Sequence, residues 1–171
     1  FGMCLARVLP SPMRGFSMPN WQESFIKMFP RDQGMKVESK IEELFISCFN
    51  ACRVALMVPD SVTPMTQVKV ERYFIDWSVH LSNGKKLAVE LDGHDFHEKT
   101  KEQASKDKKK DRTLVSNGYT VIRFSGSDVW NNPFECCRET VDHIHILEDG
   151  QTLKEARASA GMAAINKLFE G

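Results

Sequence analysis

Three carboxylates stand in two short segments that alternate like β-strands: Asp76 in the first, Glu90 and Asp92 in the second. Tyr73, Ile75, Trp77 and Val79 alternate with Phe74, Asp76, Ser78 and His80. Leu87, Val89 and Leu91 alternate with Lys86, Ala88, Glu90 and Asp92. Acids brought together on one face repel, and each raises the pKa of the next. Unpaired carboxylates are rarely buried. They must face water at a sheet edge, pair with Lys or Arg, or hold a cation. Mg²⁺ suits such a group, because it takes one or two carboxylates and completes its shell with waters and phosphate.

The turn between the segments decides whether the acids meet. A two-residue Asn83-Gly84 loop would pair Ser82 with Lys85 and set Asp76 opposite Leu91, on the wrong face from Glu90. A three-residue loop, Ser82-Asn83-Gly84, pairs Leu81 with Lys85 and sets Asp76 opposite Glu90. Its last position needs a left-handed backbone, which glycine supplies. The three-residue loop is therefore expected, with Asp92 one step along the same face.

Other groups nearby could carry chemistry. His94 and His97 follow Gly93 and could bind zinc, or contact a phosphate. Between Glu98 and Arg112 there are seven Lys or Arg against four acids, a local basic run able to track phosphates. Within it Lys108, Arg112 and Val115 form one helical stripe, and Asp107, Asp111 and Leu114 the neighbouring one. The bland reading of that run is a solvated helix face. Cys48 and Cys52 lie one helical turn apart, and read as buried thiols rather than metal ligands. Five cysteines, two of them adjacent and none in a CxxC pair, point to a reduced compartment, so a cytoplasmic location is expected.

The elements that must position these groups are legible in outline. The chain has 171 residues, 42% of them hydrophobic and 27% charged, which suits one globular domain. The formal net charge is zero, so a nucleic-acid partner needs local basic charge. No apolar run is long enough to span a bilayer, and no membrane association is expected. The stretch before Pro10 is too short for a whole secretion signal. Residues 1–38 read as an irregular arm with one short helix at Trp21 to Met28. Ser39 to Glu42 has the form of a capping box and opens a helix fading near Met57. Residues 60–66 read as a loop before the strands. A charged helix is expected over 100–117, with Ala104, Leu114 and Val115 as its apolar stripe and Asn117-Gly118 as its end. Tyr119 to Phe124 reads as a buried strand, Ser125-Gly126-Ser127 as a turn, and two helices close the chain after Pro133 and Gly150. His143 and His145, on the first of these, read as surface or packing residues. The order predicts an α/β sandwich of α+β type, a mixed β-sheet flanked by helices. Residues 39–147 would form the core and 148–171 a C-terminal helix packed on it.

At these residues the sequence resembles the restriction-endonuclease-like PD-(D/E)XK superfamily, and within it the very-short-patch-repair-like endonucleases. The resemblance is carried by Tyr73-Phe74-Ile75-Asp76, by Leu87 to Gly93 and by His97. Asp111-Arg112, Leu114, Gly118, Val121, Arg123-Phe124 and Asp128-Val129 extend it, as do Ser39, Glu42 and Gln67. It implies acids on adjacent strands holding Mg²⁺ beside a scissile phosphodiester. Carried over by position, Asp76 is the first metal-binding acid and Glu90 the second. Asp92 stands where the superfamily has a lysine, so a positive charge must come from elsewhere. Lys108 and Arg112 are the candidates, with Lys110 behind them. Glu42 matches a glutamate that approaches the metal in this superfamily, and is also explained by its capping box. His97, His94, Lys109 and Lys110 are the candidate phosphate contacts.

The expectation is a Mg²⁺-dependent endonuclease, with Mn²⁺ as substitute, that hydrolyses phosphodiester bonds in DNA with metal-activated water. Asp76, Glu90, Asp92, Lys108 and Arg112 would be catalytic, and a second protomer could serve a double-strand cut. Two rivals stand beside it. One is a catalytically inactive nucleic-acid-binding or assembly module of the same fold. The other is a zinc hydrolase using His94 and His97.

Overall fold

The computed structural model describes residues 21–30, 34–53, 56, 58–93 and 101–169, with the side chains of 101 and 163–169 left aside. Among these residues, six helices and four strands occur. They are α1 (Trp21–Met28), α2 (Lys40–Cys52), β1 (Thr63–Val70), β2 (Tyr73–His80) and β3 (Lys86–Asp92). Then come α3 (Lys101–Ser116), β4 (Tyr119–Ser125), α4 (Gly126–Asn131), α5 (Pro133–Asp149) and α6 (Leu153–Phe169). The sheet order is β1-β2-β3-β4. β1 and β2, and β2 and β3, pair antiparallel, and β4 lies parallel to β3. A parallel neighbour cannot be reached by a tight turn, and α3 makes the crossover. This is the mixed sheet with flanking helices that the order of elements implied.

The sheet is covered on both faces. On one side α1, α2, α4 and α5 bury a large cluster around Trp77, Val89 and Phe124. Trp77 is its centre, with Phe45 and Phe49 rings edge-on at 5.7 and 4.7 Å. Helix α1, expected as part of an irregular arm, sends Phe25 and Ile26 into this cluster. On the other side Leu114 of α3 packs with Val70, Ile75, Ala88 and Tyr119. Period-two alternation put Ile75 and Trp77 on one face, but they belong to different clusters. The strand therefore changes face across Asp76.

Two elements differ from expectation. Strand β1 begins inside the stretch read as a loop, although it contains Pro64. A proline without an N–H is tolerated there because β1 is an edge strand. Ser125 opens a short helix, α4, instead of a simple turn: its hydroxyl accepts from Asp128 N–H at 3.1 Å, and the Asp128 carboxylate accepts from Ser125 N–H at 3.3 Å. Aspartate thus serves where a capping box usually has glutamate. Gly126 must follow, since a Cβ there would stand 3.0 Å from the Asp92 carbonyl oxygen.

The β2–β3 turn has the three-residue form. Leu81 N–H donates to Lys85 C=O at 2.8 Å, and Gly84, at φ +82°, donates to Leu81 C=O at 3.0 Å. The tip is tied to the end of α5. Asn83 Nδ2 donates to Leu147 C=O at 2.8 Å, and Lys85 Nζ reaches the same carbonyl at 2.8 Å. These donors satisfy the last carbonyls of a helix, which have no partner within it.

Candidate active site

The hairpin register places the acids. His80 pairs with Lys86, Val79 with Leu87, Ser78 with Ala88 and Trp77 with Val89. One more step sets Asp76 opposite Glu90, but there the ladder stops while β2 continues to Tyr73 paired only with β1. The central strands part at this point. Leu91 N–H donates at 2.8 Å to the Asp76 carboxylate. A side chain has taken over a ladder bond.

A single row crosses the sheet at this level. Gln67 of β1 stands opposite Asp76, flanked by the pairs Thr66–Trp77 and Val68–Ile75. Glu90 of β3 is paired with Arg123 of β4. Gln67 takes a left-handed backbone, φ +51°, which costs a non-glycine residue about 1–3 kcal/mol. Its amide donates at 2.9 Å to Glu42. That carboxylate also accepts from Ser39 Oγ at 2.9 Å and from Glu38 N–H at 3.0 Å. Glu42 is thus engaged by three donors, and it anchors Gln67 to the start of α2.

The electrostatics centre on Glu90. It is only 2% exposed. Burial, and then the nearby Asp76 charge, push its pKa up to about 7. Lys110 of α3 opposes this by donating to Glu90 Oε2. Glu90 Oε1 has no hydrogen-bond partner among the described residues. Asp76 is also raised: burial is the main cause, the Leu91 N–H opposes it, and Glu42 and Asp92 add to it. Asp92 faces Arg123, whose Nη1 donates to it at 3.2 Å. Arg123 also donates to Asp111 of α3, at 2.6 and 3.1 Å. Burial works against the guanidinium charge, but Asp111, Glu90 and Asp92 outweigh it and hold its pKa above the usual value.

The candidate cations are redistributed. Lys108, Lys109 and Arg112 are exposed, and Lys110 meets the acid instead. Leu114 decides this. It is 0% exposed while Val115 is 61% exposed, so the stripe of Asp107, Lys110, Asp111 and Leu114 faces the sheet. Val115, taken as part of the apolar stripe, points to solvent with Lys108 and Arg112. Fully burying a leucine is worth about 1.5–3 kcal/mol, which selects this rotation. Lys110 lies one helical turn before Leu114, so burial of that leucine carries Lys110 to the sheet side. Arg123 enters the site through the parallel pairing of β4 with β3, which nothing local to its own strand specifies. His94 and His97 lie outside the described residues.

Whether this set fits a divalent cation turns on Glu90 Oε1, a buried carboxylate oxygen with no donor among the described residues. Among the described residues no group of three or more His, Cys, Asp or Glu is arranged to hold a metal ion. Mg²⁺ does not need one, since one or two carboxylates suffice with waters and phosphate. Asp76 and Glu90 are the two carboxylates of the site that could supply such a pair. Asp92 is directed to Arg123 instead.

A mixed sheet between helices, with acids where the central strands part, defines a restriction-endonuclease-like α+β protein. The family model REase_MTES_1575, a restriction-endonuclease-like domain, matches residues 54–144, just over half of the chain, and the chain belongs to that family. The matched stretch contains Asp76, Glu90, Asp92, Lys110 and Arg123. No curated protein and no solved structure matches the chain. No helix among the described residues is long and apolar enough to cross a membrane.

Proposed function

We propose that this chain is a Mg²⁺-dependent endonuclease that hydrolyses phosphodiester bonds in DNA, with Mn²⁺ as a working substitute. The observation that carries the reading is Glu90: a nearly buried carboxylate, across from a second acid, with one oxygen that has no donor among the described residues. Asp76 and Glu90 would hold the ion. When bound, it would polarise the phosphate and make water acidic enough to attack at neutral pH. The Leu91 N–H keeps the Asp76 carboxylate oriented. Lys110 stands against Glu90 with a charge suited to the negative charge developing on the phosphoryl oxygens. Arg123, fixed by Asp111 and Asp92, keeps a second cation beside the acids. The exposed Lys108, Lys109 and Arg112 supply backbone-phosphate contacts without sequence preference.

Incubation with plasmid DNA and Mg²⁺ tests this. The wild-type chain should nick or linearise the plasmid, and Asp76→Ala and Glu90→Ala should not. Equal cleavage by all three proteins removes the assignment.

A second reading has its own support. The ion pairs Lys110–Glu90 and Arg123–Asp92 balance much of the site's charge without a metal. An inactive DNA-binding module of the same fold would do the same. It would bind DNA in a salt-sensitive way, cut none with any divalent ion, and bind as well or better after Asp76→Ala.

A further inference from the structure

The β1–β2 hairpin extends past the point where β2 leaves β3, and its two sides are unlike. Val70 and Ile75 are buried against Leu114 of α3, with Val68 packed beside them. The alternate residues Lys69 and Phe74 are exposed and directly paired. Phe74 is 50% exposed, although a strand could have placed it in either core. Its ring belongs to neither core cluster. It lies two residues from Asp76, on the side of the hairpin that α3 leaves open. Arg72 continues this end of the hairpin. It is exposed, stacked 5.0 Å from the Tyr73 ring centroid, with its guanidinium hydrogen-bonded to Tyr73 Oη at 2.9 Å. The one acid at the turn, Glu71, accepts from Asn117 Nδ2 at 3.1 Å.

We infer that Phe74, with Lys69 paired beside it, is a stacking platform for an unpaired base, so that the preferred substrate is single-stranded DNA rather than an intact duplex. The inference rests on the nuclease reading for its substrate class. An aromatic face accepts any base, and flanking cations take the phosphates on either side. A base in an intact duplex is already stacked and presents only its edges, so Phe74 would gain nothing from it. The occupant is thus chosen by chemistry: an exposed apolar ring with the Lys69 cation paired beside it suits a base and its adjoining phosphate.

The test is a binding measurement, which separates this inference from the nuclease reading. Fluorescence anisotropy with a labelled single-stranded oligonucleotide and its duplex is recorded with Ca²⁺ in place of Mg²⁺. Wild-type protein should prefer the single strand. Phe74→Ala should weaken single-strand binding by about tenfold, and leave duplex binding within twofold. Phe74→Trp should restore it, and only wild type and Phe74→Trp should quench a 2-aminopurine base placed in the strand. Phe74 is half exposed, so the alanine variant should keep its fold, checked by an unchanged melting temperature. Equal single-strand binding by wild type and Phe74→Ala overturns the platform, as does tighter binding of the duplex. If binding depends on Phe74 but no DNA is cut with Mg²⁺, the platform stands and the nuclease reading fails. If DNA is cut and Phe74→Ala changes nothing, the nuclease reading stands and the platform fails.

Discussion

Lys110 reaches Glu90 because Leu114, one helical turn further along α3, is buried in the core beneath that helix. The buried leucine sets the rotation of the helix. The rotation then decides which cation of a seven-cation run meets the acids.

This relationship separates the cations by experiment. Lys110→Ala should reduce Mg²⁺-dependent cleavage by about 10²-fold, the usual cost of one transition-state charge partner. Lys108→Ala and Arg112→Ala should change turnover less than about threefold and act on DNA affinity, lowering its salt dependence by about one ion each. Cleavage kinetics and binding at several salt concentrations check this. A larger turnover defect in Lys108→Ala than in Lys110→Ala would reverse the assignment.

Glu90 should make both metal binding and stability depend on pH. In the folded protein it gives up its proton at about 7, against an ordinary value of 4.5. Between those values the folded state holds a proton that the unfolded state has lost. The associated stabilisation is complete below about pH 4.5 and is lost as pH rises through about 7. Asp76, raised in the same direction, adds to this. The melting temperature of metal-free protein should therefore fall between pH 5 and pH 7.5, and Glu90→Gln should flatten the fall. Mg²⁺ binding, followed by calorimetry, should run the other way and tighten as pH rises through 7, with proton release.

The β2–β3 turn should prove sensitive for its size. Gly84→Ala forces a Cβ into a left-handed backbone and should cost about 1–2 kcal/mol. Asn83→Ala removes the tie to α5 and should cost about 1 kcal/mol. Urea midpoints measure both. Because the turn sets the register opposing Asp76 to Glu90, Gly84→Ala should also lower cleavage at temperatures where the chain is still folded.

The four core cysteines should be inert in the native state. Cys48, Cys52, Cys136 and Cys137 are buried free thiols. Burial pushes Cys52 up to about 11 and Cys136 up to about 12, and raises Cys48 and Cys137 as well. A thiol reagent reacts with the thiolate, so none should react at neutral pH. In a Cys4→Ser variant, a coloured disulfide reagent should count no thiols before unfolding and four after it.

Much of the site was legible because local chemistry specifies it. Asn83-Gly84 after Ser82 allows few turns, and a period of two carries the chosen turn's register to Asp76 and Glu90. The Ser39 N-cap is likewise a local device, and it forms, but the reciprocal half of the expected capping box does not: the Glu42 carboxylate accepts from Glu38 N–H rather than from Ser39 N–H. The first four residues of β1 fall in the stretch expected as loop, and only the sheet order shows that Pro64 sits on an edge strand, where its missing N–H is tolerated. Asp92 looked like a third member of the acid group. Its partner, Arg123, is remote in sequence and is brought alongside by the β3–α3–β4 crossover.

The sequence by itself determined the alternating strands, the three-residue turn and the opposition of Asp76 to Glu90, because each follows from neighbours within a hairpin's reach. Tertiary structure alone decided which cations attend them. Asp92 turns to Arg123, Glu90 to Lys110, and Lys108 and Arg112 to solvent, because burial of Leu114 and parallel pairing of β4 are set by the whole core. No periodicity within α3 distinguishes its two stripes until the sheet beneath it is in place.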